Sequence, residues 1–117
     1  MKIRIDVSGG PVTATLDNND SSIDFVKQLP MKLTLDDYAS TEKISVLPEQ
    51  LSTQGAPAGF TPSAGDIAFY APWGNLAIFH KGFKYSSDLI KLGRIDSGLG
   101  ILARPGSLEV TITLVDE

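Results

Sequence analysis

Apolar and polar residues alternate at both ends of the chain. Ile3, Ile5 and Val7 alternate with Lys2, Arg4 and Asp6, and Leu108, Val110, Ile112 and Leu114 with Glu109, Thr111 and Thr113. A period of two places each apolar set on one face of an extended strand, so both segments read as half-buried strands, the second from Ser107 to Val115. Gly9-Gly10-Pro11 reverses the chain after the first, and Val12, Ala14 and Leu16 alternate in a second strand that pairs with it as a hairpin. The period then changes. Ile23, Val26 and Leu29 recur at helical spacing beside Phe25, and Ser21 with Asp24 has the form of a capping box, which predicts a short helix over 21–29. Pro30 ends it, lacking the amide donor of a further turn.

Alternation resumes in Met31, Leu33 and Leu35, and a brief extended piece from Lys43 to Leu47 stops at Pro48. Residues 48–64 carry three prolines, two glycines and many small residues, with Leu51 and Phe60 as the bulky apolar anchors; they read as a long loop, either functional or mobile. The next stretch, GDIAFYAPWGNLAIFH at 65–80, is the most informative in the chain. Two apolar, aromatic-rich runs flank a Pro-Trp-Gly-Asn turn and predict a β-hairpin. Leu89 to Ile95 reads as a further strand entering Gly93, and residues 97–102 as either one helical turn or a bulged strand.

Seven or eight short strands, one early helix and no helix between successive strands exclude a doubly wound sheet. They predict a mainly β fold, a small closed or nearly closed antiparallel barrel in one domain spanning 1–117. Closure also removes the edges that so many strands would otherwise expose. The chain of 117 residues, 42% of them hydrophobic and 21% charged, is long enough to bury its own core. A net charge of −4 and an isoelectric point near 4.8 give no electrostatic basis for gripping nucleic acid or an anionic membrane, and neither is an expected partner. Without cysteine there is no disulfide, thiolate nucleophile or sulfur-ligated metal. No signal-like or membrane-spanning apolar run occurs, so a soluble cytoplasmic protein is the expectation. Its oligomeric state is not legible.

Four ordered segments carry a family resemblance: LP-x-x-L-x-L-x-D from Leu29 to Asp37, E-K-x-x-x-L-P-x-x-L from Glu42 to Leu51, GD-I-x-x-Y-x-PWGN-L-A-I-F from Gly65 to Phe79, and LG-x-I-x-x-G-L from Leu92 to Leu99. In order and spacing they resemble the bacterial cyclophilin-like barrel domains, over most of the chain. The resemblance implies a compact β-barrel with a helix at one end, and a binding pocket more than a reaction. Prolyl isomerases of this fold present an arginine ahead of a phenylalanine, a glutamine and a Gly-Gly-Asp sequence. Gly59-Phe60 and Gly65-Asp66 echo that pattern, but no arginine lies between Arg4 and Phe60 and the glutamine is absent.

The chemistry-bearing residues are few. His80 is the sole histidine and no G-x-S-x-G elbow is present, which excludes a serine hydrolase of that kind. Alternation puts His80 on the face of Leu76 and Ile78, the place of a structural group at a strand end or of a proton-transfer candidate. Asp36, Asp37 and Glu42, with Asp66 or His80, are the carboxylate-rich metal candidates; adjacent aspartates on a strand point to opposite faces, so they read as a turn or solvated edge and no metal or cofactor is expected. Asp66 after Gly65 reads as an acceptor for loop amides. Trp73 at the hairpin tip either folds over the barrel mouth or stands exposed for recognition. Phe60, Tyr70, Trp73, Phe79 and Tyr85 exceed what one small core consumes, so an aromatic groove beside one barrel opening is expected, with Glu42, Asn75, His80 and Arg94 as its polar groups. Three functions follow from these residues: a non-catalytic module binding a small molecule or peptide segment in that groove, a divergent prolyl isomerase with Arg94 supplying the missing donor, and a structural or oligomerisation domain.

Overall fold

The computed structural model describes residues 1–115. Strands β1 (Lys2–Asp6) and β2 (Val12–Leu16) form the opening hairpin, helix α1 (Asp20–Lys27) follows, and β3 (Met31–Tyr38) pairs with β4 (Glu42–Val46). The central hairpin is β6 (Asp66–Tyr70) with β7 (Asn75–Phe79); β9 (Leu89–Ser97), a single helical turn α2 (Leu99–Leu102) and β10 (Leu108–Val115) complete the chain. Between these lie two very short strands, β5 (Gly59–Phe60) and β8 (Ser86–Ser87), which pair only with each other. The other eight close an antiparallel barrel in the order β1-β10-β3-β4-β7-β6-β9-β2.

Registers divide the side chains between two surfaces. Ile3, Ile5, Val12, Ala14, Leu16, Leu35, Ile67, Phe69, Leu76, Ile78, Val110 and Ile112 fill the barrel interior, and Phe25 of α1 joins them. The helix begins one residue earlier than its spacing suggests, and its cap is Asn19, whose Oδ1 accepts from the Ser22 amide at 2.8 Å. The expected Ser21–Asp24 capping box does not form. Those two residues instead hold the long loop, Ser21 Oγ donating to the Ser52 carbonyl and Asp24 Oδ2 accepting from the Ser52 amide. Leu47 and Leu51 add apolar anchors by packing into the interior.

One end of the barrel is closed by charge. Lys43 pairs with Asp37 on one side and Ile78 on the other, so its side chain points inward, where it is fully buried. Its ammonium donates to the Gly106 carbonyl and lies 2.6 Å from Asp37 Oδ1. That ion pair and the Gly106 amide's bond to Asp37 hold the Asp37 carboxyl below the usual carboxylate range.

Candidate functional site

β6 and β7 are buried on both faces, which is why their sequences read as near-continuous apolar runs rather than alternating ones. Ala68, Ala77, Phe79 and Leu89 form a second apolar cluster on the outer wall of the barrel, with Ile44, Phe60 and Tyr70 packed against it. Cross-strand pairs Glu42–Phe79, Ile44–Ala77, Ala68–Ala77 and Tyr70–Asn75 place these side chains on one surface. The β5–β8 ribbon lies beside this cluster through Phe60 and leaves part of it open.

The open part is a cleft of about 200 Å³, walled by Tyr38, Tyr70, Trp73, Phe79 and Phe83, with Glu42, Asn75 and Ser86 as its polar groups. Trp73 stands half exposed on the turn, edge-on to Tyr38 at 5.6 Å and to Tyr70 at 5.3 Å between ring centroids. Edge-to-face packing on both sides orients the indole without covering it. The turn that carries it needs Gly74, at φ +68°, where an added Cβ would also collide with Gln50 Nε2.

Two polar groups of the cleft are largely buried and lack protein partners, and of these Asn75 Oδ1 is sealed from solvent, as are the unpartnered Thr41 Oγ1 and His80 Nε2 outside the cleft. Glu42 is 9% exposed, and no hydrogen bond or ion pair reaches its carboxyl among the described residues; desolvation pushes its pKa up to about 7. Asn75 is 4% exposed, and its Oδ1 has no hydrogen-bond partner. Buried acceptors without donors are uncommon in folded proteins, because each forfeits its hydration for nothing in return.

Of the residues singled out in the sequence, Glu42, Tyr70, Trp73, Asn75 and Phe79 meet in this cleft. The others do not line it. Phe60 packs against the outer cluster from the ribbon side and faces a separate depression of about 340 Å³ beside the start of α1. His80 follows Phe79 by one residue, so it leaves the outer wall and faces the charges of Lys43 and Asp37; burial, with those of Lys43 and Lys81, lowers its pKa. Arg94 is engaged elsewhere: it pairs with Asp66, Nη1 to Oδ1 2.6 Å, and donates to the Ala64 carbonyl. That places it at the end of β6 remote from Tyr70, about 13 Å along the strand. Asp66 accepts from the Ser63 amide as well, fixing the loop ahead of the hairpin. Tyr85 is exposed and outside the cleft. The aromatic groups therefore gather on the barrel's outer wall, not at its opening. Asp36 and Asp37 bind Ser107 Oγ, Lys43 and Gly106, and among the described residues no three metal-ligating side chains converge.

Tyr38 and Phe83 belong to the cleft although the sequence reading passed over them. Tyr38 pairs with Glu42 across a turn in which Ala39 and Ser40 hold φ of 53° and 57°. Turns of that hand ordinarily announce themselves by glycine or asparagine. The alternation of β3, continued past Asp36 to Tyr38, is the signal that was available.

The closed eight-stranded barrel agrees with a family comparison: the model of the Cyclophilin-like family matches residues 5–113. The chain belongs to the Cyclophilin-like family. A similar structure is the solution structure of a hypothetical protein from Archaeoglobus fulgidus, 18% identical, with a TM-score of 0.67 over 97% of this chain and 93% of that one. At that identity the similarity concerns the fold. No curated protein sequence matches this cyclophilin-like chain. Among its described residues no helix is long and apolar enough to cross a membrane.

Proposed function

We propose that this cyclophilin-like domain is a non-catalytic binding module that takes a small molecule, or one side chain of a peptide segment, in the outer-wall aromatic cleft. One observation carries the reading: five aromatic rings surround a cleft whose two buried acceptors, on Glu42 and Asn75, lack protein partners. Apolar walls with a few convergent polar groups are the usual form of a ligand site. The larger depression near α1 has less to offer, because its Asn19 and Ser21 are already bonded within the protein. The isomerase reading has less support, since Arg94 is held by Asp66 and no arginine lines the cleft among the described residues.

Trp73 is the single tryptophan, so its indole N–H gives one resolved NMR signal at the cleft wall. Screening metabolites and proline-containing peptides should yield compounds that move this signal and raise the melting temperature, and in Trp73→Ala, which lacks the indole and is followed by melting temperature alone, the stabilisation should be lost. A protein unmoved by every compound in both collections contradicts the proposal.

A further inference from the structure

The lining of the cleft also restricts the charge of what fits. No lysine, arginine or histidine lines it among the described residues. Its acceptors are the Glu42 carboxyl, Asn75 Oδ1 and the Ser86 hydroxyl, and of these Asn75 Oδ1 is buried without a donor; the donors on its walls, Asn75 Nδ2 and the Ser86, Tyr38 and Tyr70 hydroxyls, carry no formal charge. Around them stand Tyr38, Tyr70 and Trp73, whose ring faces attract cations through their quadrupoles. An anion entering here would meet a carboxyl and electron-rich rings, with no counter-charge on the walls. A neutral apolar ligand would fill the space and leave Asn75 Oδ1 buried without a donor. A cation that carries N–H groups meets all three demands.

We infer that the cleft selects an organic cation bearing N–H donors, a primary ammonium or a guanidinium, held against Tyr38, Tyr70 and Trp73 with its N–H groups on Glu42 and Asn75. The inference rests on the binding reading above and names the ligand class of that same site. About 200 Å³ admits such a head group with a few methylenes, whether it belongs to a free amine or to a lysine or arginine side chain. Outside the lining, the Lys84 ammonium lies 6.0 Å from the ring centroid of its chain neighbour Phe83.

Recognition of this kind depends on pH through Glu42. The other ionisable groups on the walls are the Tyr38 and Tyr70 phenols; Lys84 stands at the rim, and Lys43, although adjacent in β4, points into the barrel. With its pKa near 7, Glu42 is a carboxylate above neutrality and neutral below it, so a cation is held more tightly at high pH. The bound cation in turn lowers the Glu42 pKa, and binding releases a proton near neutrality.

The test uses the whole chain with four matched probes: n-butylammonium, Nα-acetyl-lysine methylamide, n-butanol and n-butyrate, each titrated against the Trp73 indole signal at pH 8.5 and pH 5.5. An ammonium probe should bind about tenfold more tightly than butanol at pH 8.5. That preference should shrink at pH 5.5 and vanish in Glu42→Gln, which keeps the shape of the side chain. Tighter binding of the free amine assigns a small-molecule source, tighter binding of the capped lysine a peptide source, and both support the inference. Butanol or butyrate binding as well as the ammonium probes overturns the cation assignment and leaves the binding module standing. So does a Glu42→Gln protein that keeps the preference. Silence towards all four probes, while a neutral compound from the screen still moves the indole, overturns the cation assignment alone; silence towards every compound removes both readings.

Discussion

The barrel interior and the cleft on its outer wall are built from the same kinds of residue and are finished differently. Inside, Phe69, Leu35 and Ile112 are wholly buried, and the Lys43–Asp37 pair stands at one end. Outside, Phe79 and Leu89 are nearly as buried, yet the surface beside them holds a carboxyl and an amide oxygen without partners and an indole that is half exposed. Apolar burial stabilises both regions at about 25 cal/mol per Å². Uncompensated polar burial works against that gain at Asn75 Oδ1 in the outer region, and elsewhere at Thr41 Oγ1 and His80 Nε2; what sets the outer region apart is that its unpartnered groups open onto a cleft. A region that keeps such a cost is one whose residues answer to something besides folding, and sites of function are where local consistency is expected to break.

The largest effect expected from breaking this comparison lies inside. Phe69→Ala should lower stability by about 3–5 kcal/mol in chemical denaturation, through lost transfer energy and the cavity left behind. Arg94→Ala comes next. It removes the closest charge partner of the buried Asp66 carboxyl and leaves Lys91 at 3.8 Å; because Arg94 is half exposed, the loss should be about 1–2 kcal/mol, with ligand response at the Trp73 indole unchanged.

Glu42→Gln should act in the opposite direction and only at high pH. The folded protein holds the Glu42 proton up to about pH 7 while the unfolded chain releases it near 4.5, so stability falls as pH rises through that interval. The variant should be more stable than the parent by about 1–2 kcal/mol at pH 8.5, the full shift being reduced by water at the cleft opening, and equal to it below pH 4. Parallel urea titrations at the two pH values read the difference. Smallest is Trp73→Ala, expected to change stability by less than about 1 kcal/mol, since half of the ring is already in water, while removing ligand binding. A large loss of stability in that variant would make Trp73 a core residue and erase the distinction between the regions.

Much of the inner region is legible in the sequence because one buried face prints itself as a period of two. β1, β2, β3 and β10 appear within a residue or two of their observed bounds, and the closed barrel follows from their number and from the absence of crossover helices. The both-faces-buried hairpin appears as continuous apolar runs, which reveal a strand pair without saying what covers its outer side. The covering ribbon was invisible: Gly59–Phe60 and Ser86–Ser87 are too short for any period, and Gly59 is required because a Cβ there would run into the Ser86 backbone. Glu42, Tyr70, Asn75 and Phe79 were legible as surplus aromatic and polar groups, and it is the cross-strand register of β4, β6 and β7 that brings them to one surface. Arg94 was not separable from them, since register shifts opposite β2 and β6 interrupt the parity of β9. The N-cap was misassigned for a simpler reason. Asn19 and Ser21 are both good capping residues, and the choice between them was made by Ser52, 31 residues away from Ser21, whose carbonyl takes the Ser21 hydroxyl.

The central claim, that the outer-wall cleft is a ligand site and not a packing defect, is tested most directly by the pKa of Glu42, followed through its side-chain carboxyl resonance in a pH titration of the free protein and of the protein with n-butylammonium. The account predicts a value near 7 in the free protein, falling when the ammonium is added, while the Trp73 indole signal moves in step. A Glu42 that titrates like a solvent-exposed glutamate, near 4.5, and ignores the ammonium would contradict it.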